Sequence, residues 1–181
     1  MNKSAYSFST SKQKIESHII VVWIDNESGA LARVVGLFSG RGYNIDSLAV
    51  AEVDKKKNIS RITISTSGTP QVLQQIKLQL GKLIPVHKVA DFPRNTKTIL
   101  REMALLKVIS SKTKVEKAKK LCKKYKFTIL DKTEKSFVIE VSALKKEIDE
   151  LIKKLQPLGL ASTSRTGIVA MTKGSEIYKQ D

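Results

Sequence analysis

The sequence predicts an α+β chain built from two tandem βαββαβ units, and three observations carry that expectation. Apolar residues recur at helical spacing in four places, with strand-like apolar runs between them. The order strand, helix, strand, strand, helix, strand occurs twice, on either side of the polar stretch "PRNTKT". With 181 residues, 41% of them hydrophobic, the chain carries enough apolar side chains for two small cores.

The first unit opens on "HIIVVWI", His18 to Ile24, which is apolar at consecutive positions and so expects burial on both faces of its sheet. Leu31, Val34, Val35 and Phe38 then follow i, i+3, i+4, i+7 spacing, a helix. It ends at "GRG", where Gly40 or Gly42 adopts φ > 0 without a Cβ penalty. "YNIDSLAVAEV", Tyr43 to Val53, is the next strand, and "DKKKN" turns the chain into "ISRITIST". In that half-buried strand Ile62 and Ile64 face one way, Arg61, Thr63 and Ser65 the other. Thr69 as N-cap and Pro70 at the first helical position start a second helix with Leu73, Ile76, Leu80 and Leu83 on one stripe. "PVHKVADF" closes the unit as a short strand.

The second unit repeats the order. "REMALLKVIS" is a strand, followed by a helix with Val115, Ala118, Cys122 and Tyr125 on one face. "FTILD" and "SFVIEVS" pair across "KTEK". A helix aligning Leu144, Ile148, Leu151, Ile152 and Leu155 precedes the last strand, "GIVAMT". The divisions are a leader over 1–16, a first domain over 17–93, a linker over 94–98, a second domain over 99–176 and a tail over 177–181. Each domain suits four antiparallel strands covered on one face by two helices, the ferredoxin-like plan. That plan leaves the second sheet face bare, while "HIIVVWI" requires it covered by pairing of two sheets within the chain or in a dimer; an oligomer is expected.

Composition narrows the function. No apolar run reaches the roughly 18 residues that span a membrane, and the N-terminus lacks the apolar core of a secretory signal. A cytoplasmic setting is expected, with an organelle such as a plastid as the alternative suggested by the Ser- and Lys-rich leader. Cys122, the single cysteine, can form neither an intrachain disulfide nor a thiolate cluster and reads as a small packed hydrophobe. His18 and His87 have no second ligand at a metal-binding spacing and read as strand ends. GxSxG, GxxxxGK[ST] and CxxC motifs are absent, and "GRG" follows a helix instead of opening one, so no catalytic residue, metal site or cofactor is assigned to this chain. The net charge of +16 raises a nucleic-acid partner. However, 20 of the 33 basic residues lie after residue 95 and only Arg101 and Arg165 among them are arginines, which describes a solvated lysine surface. The aromatic pattern on which RNA-binding domains of this plan stack bases is missing too. Neither nucleic acid nor membrane is expected as a partner.

What remains is "DNESGALARVVGLFSGRGYNIDSLAV", Asp25 to Val50. A helix starting near Ser28 or Gly29 presents unpaired N–H groups and the positive end of its dipole, which suits a carboxylate. Gly29 permits close approach, and Asn26 supplies an amide; a plain N-cap at Asn26 or Ser28 is the competing explanation. Asn44 is a polar, weak strand former at the start of the next strand. With two subunits edge to edge, Asn44 and Ile45 of one would face the Asn26 to Leu31 turn of the other, with Leu31, Ile45 and Val50 around a small aliphatic side chain.

These residues carry a resemblance. "NESGALARVVGLFSGRGYNIDSLAV", supported by "SRITIST", "QVLQQIKLQLGKL" and "VHKV", resembles the ACT-domain segment of the regulatory small subunits of acetohydroxyacid (acetolactate) synthase. "REMALLKV" and "SRTGIVAMTKG" extend it more weakly through the second half, so that it covers about residues 17–176. The resemblance implies that the first ferredoxin-like domain is an ACT domain and that the chain is non-catalytic. It implies a homodimer through ACT domains that activates a separate large catalytic subunit and confers valine feedback inhibition in branched-chain amino-acid biosynthesis. Thiamine diphosphate, magnesium and FAD would belong to that catalytic subunit. Asn26, Gly29, Ala30, Leu31, Asn44, Ile45 and Val50 would line the valine site. Ala32 departs from relatives that carry serine there, and Arg165 is a candidate structural or subunit contact.

Overall fold

The computed structural model describes residues 15–92 and 97–175. The residues of the predicted leader before 15, most of the predicted linker and the predicted tail lie outside them. Eight strands and four main helices run in the order β1 (Glu16–Asp25), α1 (Ala30–Gly40), β2 (Ser47–Asp54), β3 (Ile59–Gly68), α2 (Pro70–Leu80), β4 (Val86–Phe92), β5 (Thr98–Ile109), α3 (Lys112–Cys122), β6 (Phe127–Lys132), β7 (Ser136–Ala143), α4 (Lys145–Leu155) and β8 (Leu160–Thr172), with one 3-10 turn after α4. They form two antiparallel sheets, β2-β3-β1-β4 and β6-β7-β5-β8. This is the expected α+β pair of βαββαβ units. Thr98, read as the end of the linker, already belongs to β5 because it pairs with Thr172.

Each sheet buries one face against its helices. Ile20, Val22, Ile24, Ile62 and Ile64 pack on Val34 and Phe38 of α1 and on Leu73, Ile76 and Leu80 of α2. Leu106, Val108, Phe137 and Ile139 pack on Val115 and Cys122 of α3 and on Ile148, Leu151 and Leu155 of α4. Burial pushes the Cys122 thiol up to about 11, as suits a packed hydrophobe rather than a nucleophile. Leu144 leaves the stripe predicted for it: it stands exposed at the N-cap, where its N–H donates to Glu147 Oε2 at 2.9 Å. "LASTSRT", which has no apolar pattern, is strand all the same, because residues 160–165 complete the ladder on β5.

The two sheets meet on the face that the helices leave bare. Leu100, Ile168 and Ala170, on the part of the β5–β8 ribbon that runs beyond its own helices, pack on Ile19, Val21, Trp23 and Phe92. Residues Ile19 to Ile24 are consequently all buried, as their unbroken apolar run requires. The same cover corrects the half-buried reading of β3: Thr63 and Ser65, on the supposed outer face, are buried too. Because the cover comes from within the chain, the bare face does not by itself demand an oligomer.

Arg61 fastens this interface. Its guanidinium lies 5.4 Å from the Trp23 ring centre and 5.6 Å from that of Phe92, and it donates to the Ala170 carbonyl at 2.6 Å. Burial lowers its pKa, and its Nε is buried without a hydrogen-bond partner, which offsets part of the gain. Arg61→Ala is expected to destabilise the chain by about 1–2 kcal/mol, and Arg61→Lys, which keeps the charge but not the planar stack, by a similar amount. Urea unfolding followed by Trp23 fluorescence measures both.

Candidate functional site

The helix start in question differs from its counterpart in α2. There the Thr69 side chain accepts from the Val72 N–H at 3.4 Å, an ordinary side-chain cap. At α1 the N-cap is Gly29, in the left-handed region at φ 85°, and no side chain caps the helix. Neither Asn26 nor Ser28 is the N-cap, so the competing explanation of these residues fails. Asn26 is tied to the β2–β3 turn instead: its N–H donates to the Asn58 carbonyl at 2.7 Å, and its Oδ1 accepts from Ser60 Oγ at 3.1 Å. A Cβ built on Gly29 meets nothing within 4 Å, so the ground in front of the first turn is open.

Asn44 precedes β2 rather than lying in it, because the ladder begins at Ser47 opposite Ser65. Its carbonyl accepts from the buried Thr66 hydroxyl at 2.6 Å, and its Nδ2 donates to Asp46 Oδ1 at 2.8 Å. Asp46 accepts at Oδ2 from Ser67 Oγ at 2.7 Å and donates its N–H to the Ser65 carbonyl at 2.8 Å. Sequence reading missed this support. The signal was the acid two residues after Asn44 in "NID", the usual reach of a side chain that fixes a turn.

The structure brings only part of the predicted set together. Asn26 is held at Ser60 and Asn44 at Thr66, six residues along one extended strand, hence about 20 Å apart. Val50, opposite Ile62, lies toward the Asn26 end; Ile45 is half-buried against the core at the Asn44 end. Ala30 points inward and is 3% exposed, so its side chain does not line an open site. Leu31 and Val35 form a second stripe on α1, outside the core, exposed by 40% and 37%, and Val50 is exposed by 42%. Val50 lies on β2, an edge strand of its sheet.

Beside that edge, between the bare sheet face and β8, is an open cavity of about 470 Å³ lined by Ala49, Val50, Ala51, Val53, Thr63 and Val169 among others. A polar cavity of about 350 Å³ adjoins the start of β2, where Asp46 and Ser47 approach Arg165 and Gly167. Arg165 forms two hydrogen bonds to the buried Glu102 carboxylate, 2.8 and 2.7 Å, and a third to Asp149 at 2.6 Å; these carboxylates push its pKa up, Glu102 most, against the effect of burial. It is a structural contact within the chain. His18 and His87 are each paired with a distant aspartate, Asp91 at 3.0 Å and Asp25 at 2.6 Å. Among the described residues no three His, Cys, Asp or Glu side chains are placed to hold a metal ion, and no helix is long and apolar enough to cross a membrane.

Two βαββαβ units, the first with a glycine helix start that no side chain caps, give a protein of the ACT-domain class. The family model described as the small subunit-like ACT domain of acetohydroxyacid synthase matches residues 20–88, and that of the small subunit of acetolactate synthase matches residues 101–174. The acetolactate synthase small subunit of Aquifex aeolicus is 34% identical over 171 residues, 94% of this chain and 88% of that one. The isozyme 3 small subunit of Salmonella typhimurium is 35% identical over 162 residues, 89% of this chain and 98% of that one. The crystal structure of the acetolactate synthase small subunit from Thermotoga maritima superposes with a TM-score of 0.80 at 30% identity, covering 89% of this chain and 99% of that one. The chain belongs to the acetolactate synthase small-subunit family, which places it in branched-chain amino-acid biosynthesis.

Proposed function

We propose that the chain activates the catalytic subunit of acetolactate synthase and makes it sensitive to feedback inhibition by valine, which binds between two copies of the ACT domain. The observation that carries this reading is the separation of the two asparagines. About 20 Å apart along β3, they cannot hold one amino acid within a single chain. Pairing two copies antiparallel along their β2 edges would bring the Asn44 end of one against the Asn26–Gly29 end of the other. It also covers the exposed Leu31, Val35 and Val50. The site then offers a helix start for the carboxylate, an amide for the polar end and Leu31, Ile45 and Val50 for a short branched side chain. Valine bound across the interface favours one arrangement of the pair, which is the physical requirement for regulation. In this reading thiamine diphosphate, magnesium and FAD reside on the catalytic subunit.

Reconstitution tests it. Mixed with the catalytic subunit, the chain is expected to co-purify with it and to raise its activity, and valine to suppress the increment. Valine binding without co-purification points instead to a stand-alone amino-acid-sensing module; an unchanged activity with and without valine overturns the proposal.

A further inference from the structure

An amide has two faces, and the proposed site needs to know which one Asn44 turns to the ligand. An ionised carboxylate only accepts hydrogen bonds, so the group of Asn44 that faces Asp46 Oδ1 at 2.8 Å has to be the NH₂. Asn44 Oδ1 is therefore left for a ligand. Three contacts from β3 hold this orientation: Thr66 to the Asn44 carbonyl, Ser67 to Asp46 Oδ2 and the Asp46 N–H to Ser65. Among the described residues no ion pair engages Asp46, whose side chain is exposed, so its negative charge stands beside the Asn44 amide, on its NH₂ side. Both the acceptor atom and the charge attract an ammonium group and repel a carboxylate. The other asparagine is turned the opposite way. Asn26 Oδ1 is occupied by Ser60 Oγ at 3.1 Å, which leaves its NH₂ as donor beside the open start of α1.

We propose that Asp46 is the positioning residue that sets the polarity of the effector site: it turns Asn44 to accept from the ammonium group of a zwitterionic amino acid whose carboxylate lies at the Gly29 helix start of the other copy. This rests on the two-copy valine site above and deepens it. The site selects for both charges of the amino acid, so 3-methylbutanoate, valine without its ammonium group, is excluded despite its identical side chain.

Calorimetry of the full chain with L-valine tests the assignment through exchange of donor and acceptor. Asp46→Asn removes the charge and frees the amide to turn, and Asn44→Asp sets a second negative charge against Asp46; each is expected to weaken valine binding about tenfold or more. In the double variant the amide at position 46 donates to the carboxylate at position 44 while its carbonyl still accepts from Ser67. An acceptor again faces the ligand, and affinity is expected to return to within about threefold of the original. A merely structural role for Asp46 lowers the melting temperatures of the single variants along with their affinities, whereas a polarity role lowers affinity with the melting temperature kept. If Asp46→Asn binds valine as the unsubstituted chain does, or the double variant binds no better than the weaker single one, the polarity is overturned while the valine site stands. If the unsubstituted chain binds no valine, the site itself is overturned and this assignment with it. Thermal unfolding of each variant separates lost binding from lost structure.

Discussion

Gly29→Asp is expected to abolish valine binding, weakening it by more than about a hundredfold, while the fold survives. The two effects separate because of where Gly29 lies. Its φ of 85° disfavours any residue with a Cβ, which costs about 1 kcal/mol, but aspartate is among the residues that tolerate this region best. No atom lies within 4 Å of the position that the new Cβ would take, so no clash adds to that cost. The new carboxylate, however, enters the space before the first turn of α1, where the open N–H groups and the helix dipole would otherwise receive the ligand's carboxylate. It satisfies those groups itself and repels the second negative charge. Gly29→Ala carries at least that conformational cost without the charge, and its affinity is expected to fall far less. In an enzyme reconstituted with the catalytic subunit, Gly29→Asp is expected to retain activation and to lose inhibition. Calorimetry showing unchanged valine affinity in Gly29→Asp, with the melting temperature preserved, removes the helix start from the site.

Arg165→Ala is expected to cost about 3 kcal/mol of stability, a fall in Tm of roughly 6–12 °C. Glu102 is 3% exposed and owes its tolerance in that position to the two-pronged bond from Arg165, which also draws in Asp149 from α4. Removing the arginine leaves a carboxylate buried without its counter-charge. The companion double variant, Glu102→Leu with Arg165→Met, removes both charges together and is expected to recover most of the loss, because the penalty comes from the unpaired group. Chemical unfolding of the single and double variants gives the coupling; equal losses in the two would show that Arg165 acts by packing alone.

Much of this architecture is legible in the chain because hydrophobic periodicity is a local property. The stripes Leu73, Ile76, Leu80 and Val115, Ala118, Cys122 needed only their neighbours to announce helices, and both pack as their spacing requires. Thr69 and Pro70 marked a helix start by the same local rules. Local rules failed where a second element overrode them. "LASTSRT" has no strand signal of its own and becomes strand by completing the ladder on β5. Thr63 and Ser65 read as an outer face and are buried from the other side. On α1 Leu31 and Val34 belonged to one periodic stripe, yet Val34 is core and Leu31 is 40% exposed, a distinction that depends on which way the helix is rolled on its sheet.

The candidate site divides along the same line. Asn26, Gly29 and Asn44 stood out in the sequence because polar and glycine residues interrupting apolar elements violate a local pattern, and such a violation is visible without any neighbour. The roles of Asp46, Ser60, Thr66 and Ser67 were not visible, since each depends on a partner across the sheet. By itself the sequence determined the order of the elements, the cores facing the helices and the residues that break the pattern between α1 and β2. Only the tertiary structure decided how Asn44 is turned, that Asn26 and Asn44 of one chain lie too far apart to share a ligand, and that β8 covers the bare face of the first sheet. Those facts rest on contacts between residues such as Arg61 and Ala170, 109 positions apart, whose side chains carry no mark of each other until the chain has folded.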